Sequence, residues 1–183
     1  EEAALARVLS ALLPRLLAQL GTAGPQSRAK LLAVLSHINK RVKAAPALRL
    51  PLPALVELYT TSTTQPLVLN FAVVYIEMAL ERATSRERAD AAAPLLRGIG
   101  CRGAQHQGIL LRAAVWGLAD LAELGGTGAQ TDAIKARFDF LQSEVDTKLF
   151  LQFAKDTVLY APPSERAASA LDAARTAAQL GAT

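Results

Sequence analysis

Two leucine-rich segments, residues 12–20 and 27–38, are separated by Gly21-Thr22-Ala23-Gly24-Pro25. Apolar residues recur at helical spacing in both segments. The Gly/Pro link between them breaks a helix, so the pair reads as a helical hairpin. A hairpin of this size cannot cover its own apolar face. It has to stack on further units, the arrangement of HEAT-type repeats. That requirement constrains the chain more than any other feature of its sequence.

The pattern continues downstream. The first helix is expected over residues 2–20, with Leu5, Leu9, Leu12, Leu16 and Leu20 on its apolar face. Pro14 removes an amide donor and crowds the preceding turn, which predicts a kink. The return helix is expected from about Gln26 to Lys43, with Pro25 near its first turn and Leu31, Leu35, Ile38 and Val42 as its buried stripe. A linker follows, then a short helix over residues 53–59 and a polar turn at Thr60-Thr61-Ser62-Thr63-Thr64. The second return helix, residues 66–82, is apolar nearly all round: Leu67, Phe71, Val74 and Met78 on one stripe, Leu69, Val73, Ile76 and Leu80 on another. Such a helix is sandwiched between neighbours, so Leu35 and Val74 are both expected in the shared core.

A third unit opens at Thr84-Ser85-Arg86-Glu87, a capping-box sequence. Its first helix runs to about Ile99, Gly98, Gly100 and Gly103 supply a turn, and the return helix over residues 105–124 is expected to bury Leu111, Val115, Leu118 and Ala122. Tyr75 and Trp116 are assigned to core packing on the same grounds. Gly125-Gly126-Thr127-Gly128 stops the helix. A fourth unit pairs residues 131–141, with Ile134, Phe138 and Leu141, with residues 146–160, with Leu149, Phe150, Phe153, Thr157 and Tyr160.

Pro14 to Pro53 is 39 positions and Pro53 to Pro94 is 41, close to the roughly 40–47 of HEAT and armadillo units. The expected fold is therefore all-α, an α-solenoid of about four HEAT-like (armadillo-type) hairpins at residues 2–43, 52–82, 84–124 and 130–160. Residues 1–163 form the array, and 164–183 an Ala-rich tail that is either helical or disordered. Composition agrees. Hydrophobic residues make up 51% and aromatics 5%, so the core has to be built from Leu, Ala, Val and Ile. No segment alternates as a strand would.

The single Cys101 excludes an internal disulfide and fits a reducing compartment. No leader sequence opens the chain, and no uninterrupted apolar run reaches the roughly 20 residues that span a bilayer. With Glu1 rather than Met at its start, the chain reads as a soluble fragment of a longer protein.

Catalytic chemistry finds little support. His37 falls on a polar helix face. Cys101 and His106 are too few for a metal site and lack a third group to orient a nucleophile. The carboxylates form no inward-facing pair, and the glycine run at 125–128 lacks the strand and the Gly-Lys-Ser/Thr of a phosphate loop. No cofactor is expected. The best binding candidate is a basic set: Arg28, Lys30, Lys40, Arg41, Lys43 and Arg49. Its plain reading is a solvated helix face; its functional reading is an electropositive strip for an acidic protein surface. The net charge of +4 is read as interleaved with acids and without exposed aromatics, so nucleic acid is not an expected partner.

Three segments carry a family resemblance: Leu35-Ser36-His37-Ile38-Asn39-Lys40-Arg41-Val42-Lys43, Leu50-Pro51-Leu52-Pro53-Ala54-Leu55, and Asn70-Phe71-Ala72-Val73-Val74-Tyr75-Ile76-Glu77-Met78-Ala79. They resemble the N-terminal region of the proteasome adaptor and scaffold proteins of the extracellular-mutant (Ecm) family. Gln105-His106-Gln107, Ile109-Leu110-Leu111-Arg112, and the stretch from Leu149-Phe150-Leu151 to Tyr160-Ala161-Pro162 are similar to plant-type members. The likeness runs from about Val8 to Pro163. It implies a long non-enzymatic HEAT-repeat protein of cytoplasm and nucleus. Such a protein binds proteasome subunits, tethers core to regulatory particle and supports assembly quality control. It transfers no contact residue. Periodicity alone equally allows another protein-binding solenoid, such as a transport receptor or a phosphatase or kinase scaffold.

Overall fold

Prolines and glycines set the boundaries of the helices. In a computed structural model of the chain, residues 2–62, 65–124, 140–141 and 143–159 are described. Helix α1 is Glu2–Leu20, α2 Pro25–Ala44, α3 Leu52–Thr61, α4 Pro66–Glu81, α5 Ser85–Leu96, α6 Ala104–Leu124 and α7 Glu144–Val158, with a 3-10 turn at Ile99–Cys101. The described residues contain no strand. Proline occupies the first turn of α2, α3 and α4, where an absent amide donor costs nothing. Thr84 caps α5 in a full capping box with Glu87, and Gly98 takes the left-handed conformation (φ 72°) that glycine adopts without strain. The chain divides into two compact units, Glu1–Thr147 and Lys148–Thr183.

In the first unit α1 packs against α2, α3 and α4, α3 against α4 and α5, and α6 against α4 and α5. Each hairpin thus borrows its core from the next, as the fold class requires. Two hydrogen bonds fix the spacing. The Tyr75 hydroxyl on α4 donates to the Leu35 carbonyl on α2 (3.0 Å), and the Arg82 guanidinium donates to the Val42 carbonyl (3.3 Å), each across 40 positions. The architecture is an all-α solenoid.

The three prolines used to measure the period are not equivalent positions. Pro14 lies inside α1, Pro53 in the first turn of α3 and Pro94 near the end of α5. Pro25 and Pro66, 41 positions apart, do correspond, because both open return helices. Helix α1 runs through Pro14 as one element.

The core is mostly aliphatic, and each fully buried Leu contributes about 1.5–3 kcal/mol. On α1 the buried line is Leu9, Leu13, Leu17 and Leu20, while Leu12 is 46% exposed. Two leucine rows lie side by side on this helix, and periodicity cannot choose between them. On α2, Leu35 and Val42 are buried as expected. On α4 the second stripe, Leu69, Val73, Ile76 and Leu80, is buried throughout. The first is not: Val74 is 41% exposed.

Helix α3 extends through Thr60 and Thr61, which sequence reading placed in a turn. Their hydroxyls bond back to the Val56 and Glu57 carbonyls, and the backbone ladder runs on to the Ser62 N–H, which donates to the Leu58 carbonyl. Val115 and Trp116 are also exposed, by 39% and 45%. The cause is Gly117, where an added Cβ would lie 2.6 Å from the Arg88 carbonyl oxygen. That close approach turns the Leu110, Ala113 and Gly117 side of α6 towards α5 and leaves Val115 and Trp116 outside. Tyr75 is buried, as expected. The side chains of Leu118 and Ala122, the stretch 125–139 with Ile134 and Phe138, and the tail 164–183 lie outside the described residues. In the second unit the described residues continue α7, where Phe153 is half-buried.

Candidate interaction surface

From Ala3 to Val56 the chain contains no Asp or Glu, but eight cations: Arg7, Arg15, Arg28, Lys30, Lys40, Arg41, Lys43 and Arg49. The remainder, residues 57–183, then holds 12 Lys and Arg (20 less these eight) against 14 Asp and Glu (16 less Glu1 and Glu2). The positive charge is therefore segregated into the first hairpin and its linker, and is not interleaved with acids there. This segregation was present in the sequence and was averaged away in the net charge.

The structure divides the six candidate residues. Arg28 is half-buried and donates to the Ala23 carbonyl (2.9 Å), closing the α1–α2 turn. Arg49 forms an ion pair with Glu87 on α5. Both have structural work. Lys30, Lys40, Arg41 and Lys43 are exposed on α2, and no hydrogen bond or ion pair reaches them among the described residues. Arg41 and Lys43 also stand in the last turn, where cations complement the helix dipole.

Beside this face lies a groove of about 540 Å³ between α2, α4 and the start of α6. Leu32, Ser36 and Asn39 line it from α2, Asn70, Phe71 and Val74 from α4, and Gln105 and His106 from α6. Lys40 and Lys43 stand one helical turn beyond Ser36 and Asn39, on the same edge. The Asn39 Oδ1 is shut off from solvent and has no donor among the described residues. One turn beyond Val74 on α4, Glu77 pairs with Arg112 on α6 (3.0 Å).

His106 closes one end. Its Nδ1 meets the Tyr59 hydroxyl (3.0 Å) and its Nε2 the Asn70 Oδ1 (2.8 Å). The pattern suits a neutral ring: Tyr59 donates to Nδ1, and Nε2–H donates to Asn70. Burial, and then the Arg102 charge, hold the imidazole below its ordinary pKa. Arg102 lies 4.7 Å from the Tyr59 ring centroid, a cation–π contact. Burial raises the Tyr59 hydroxyl, an effect Arg102 partly offsets. Sequence reading treated His106 only as a non-ligand. The structure makes it a joint between α3, α4 and α6.

Asp146 was also missed. It is buried, and its carboxylate accepts from the backbone N–H groups of Gly98 (3.2 Å) and Gly100 (2.6 Å). It thereby clamps the turn between α5 and α6 to the start of α7. The signal was Ser143, whose hydroxyl accepts from the Asp146 N–H as a helix cap. Among the described residues no group of three or more His, Cys, Asp or Glu could hold a metal ion. Cys101 is exposed, and both ring nitrogens of His106 are occupied as above. His37 is exposed, as expected. Helix α1 is long and apolar enough to cross a membrane by length and composition, yet Leu9, Leu13, Leu17 and Leu20 are spent on packing within the array.

The family model described as "Proteasome component ECM29, N-terminal" matches residues 1–180. That span reaches past Pro163 into the Ala-rich tail. The "Proteasome adapter and scaffold protein ECM29" of Homo sapiens is 24% identical over 155 residues, covering 85% of this chain and 8% of that protein. The chain thus spans under one tenth of that relative's length. No solved structure matches it.

Proposed function

This chain belongs to the family of the proteasome component ECM29, matching its N-terminal part, and from that membership we propose that it is part of a non-catalytic adaptor that binds the proteasome. In this reading residues 1–163 are an array of four hairpins within a longer scaffold, and 164–183 a tail. The whole protein tethers the core particle to the regulatory particle and supports quality control of proteasome assembly, in cytoplasm and nucleus. The observation that carries the reading is the family match over nearly the whole chain. The fold is compatible with it, because stacked hairpins spend their inner faces on one another and keep outer surfaces for partners. The exposed Lys30, Lys40, Arg41 and Lys43 give this segment a docking face whose charge speeds encounter with an acidic protein surface.

The test is affinity purification of the full-length protein from cell extract. Core and regulatory subunits of the proteasome are expected to co-purify, and residue-pair crosslinks are expected to map the contacts. Repeated recovery of the intact protein without proteasome subunits would overturn the reading.

A further inference from the structure

We propose that the groove between α2, α4 and the start of α6 is a docking site for an acidic peptide segment bearing an apolar side chain. The proposal deepens the adaptor reading by naming the kind of partner segment this surface takes. Three features of the groove support it.

The first is apolar surface left open. Leu32 and Phe71 are only half-buried and Val74 is exposed, whereas Val73, Tyr75 and Ile76 beside them on α4 are buried. The groove's volume of about 540 Å³ falls in the range of side-chain and small-ligand clefts, roughly 300–1,000 Å³. It takes a few side chains rather than a whole helix.

The second is unmet hydrogen bonding. Asn70 on α4 is exposed and lines the groove. With its Oδ1 held by His106, Asn70 keeps its amide NH₂ for an incoming carbonyl. That donor meets a backbone carbonyl, an acceptor that any extended peptide presents.

The third is charge. Lys40 and Lys43 flank the groove on a helix that carries no acid, and Glu77, one helical turn beyond Val74 on α4, is already paired with Arg112. A partner with Asp or Glu beside its apolar residue is attracted; a basic one is repelled. A nucleic acid would satisfy the charge only. Of the rings that line the groove, Tyr75 is buried and Phe71 and His106 are half-buried, which leaves no open face for base stacking.

The experiment titrates the isotopically labelled 183-residue chain with a short synthetic peptide in which glutamates flank a central Leu-Phe pair. Amide signals of Ser36, Asn39, Phe71 and Val74 are expected to shift. Lys40→Glu with Lys43→Glu should weaken binding by about tenfold or more, and a peptide with Ala-Ala at its centre should not bind. Ser36→Trp, at an exposed position, fills the groove without entering the core and should abolish the shifts while the melting curve stays unchanged. The proposal is overturned by shifts that map elsewhere, by binding indifferent to these variants, or by equal binding of the Ala-Ala peptide or of a uridine oligonucleotide. The result is separable from the adaptor reading. Failure here with proteasome co-purification intact removes only the groove, and loss of co-purification removes only the adaptor.

Discussion

Helices α2 and α4 hold the same place in consecutive hairpins, and each opens with a proline in its first turn. Their surroundings differ sharply. Helix α4 buries nine of its 16 residues and packs against α1, α3 and α6. Helix α2 buries two of 20, Leu35 and Val42, and carries Arg28, Lys30, Lys40, Arg41 and Lys43 with no acid. One hairpin geometry thus yields two kinds of helix. The inner one is held by hydrophobic burial, the outer one by a narrow stripe, two hydrogen bonds from α4 and a turn-closing arginine. What α2 does not spend on the core it shows to solvent as charge.

The severest way to probe that contrast is to put a carboxylate on each buried line and on each open one. Ile76→Asp on α4 and Leu35→Asp on α2 strand a charge in the core and should cost about 4 kcal/mol or more, read as loss of a cooperative thermal transition. Val74→Asp and Val34→Asp, both at exposed positions, should stay within about 1 kcal/mol of the parent. A Val74→Asp protein that melts like Ile76→Asp would show α4 to be closed on all sides.

Asp146→Ala comes next. It leaves the Gly98 and Gly100 amides without their acceptor, which should cost about 1–3 kcal/mol. Amide exchange should quicken at the turn between α5 and α6 and leave α2 unaffected.

Tyr75→Phe is milder. It deletes one hydrogen bond to the Leu35 carbonyl while keeping the ring, a loss of about 1 kcal/mol in chemical denaturation. Burial also pushes the Tyr75 hydroxyl up to about 12. The folded chain therefore prefers the neutral phenol, and its contribution is complete below the ordinary tyrosine value of about 10 and lost as pH rises towards 12. The Phe variant should lack that part of the alkaline destabilisation.

The smallest effect is expected at His106. Its pKa is lowered in the folded chain, so the unfolded state takes up the proton first. The stabilisation is complete above the ordinary value of about 6.5 and is lost as pH falls through the folded one. His106→Gln should flatten the melting temperature between neutral and mildly acidic pH.

The helices and the stacking requirement were legible because Leu periodicity and Gly/Pro breaks act locally. The two stripes of α4 show the limit: both were correctly seen as apolar, but only a partner decides which one is covered, and nothing in a single helix names its partner. Leu12, Val115 and Trp116 failed for the same reason, the last two because Gly117 sets how α6 rolls against α5. The proline period reached the right length from prolines that are not equivalent. The basic set was legible as composition, yet only packing distinguishes the engaged Arg28 and Arg49 from the exposed four. The segments around Asn39 and Asn70-Phe71 carried the family resemblance, and they face each other across the groove. That juxtaposition depends on bonds spanning 40 positions and is invisible in the linear chain.

Hydrogen exchange resolved by helix tests the central claim most directly, namely that the hairpins share one core at this spacing and leave α2 largely free. The account predicts slowest exchange in α4, faster exchange in α2, and in Tyr75→Phe a further acceleration confined to α2. Equal protection of α2 and α4, or an acceleration that appears in α5 and α6 instead, would contradict it.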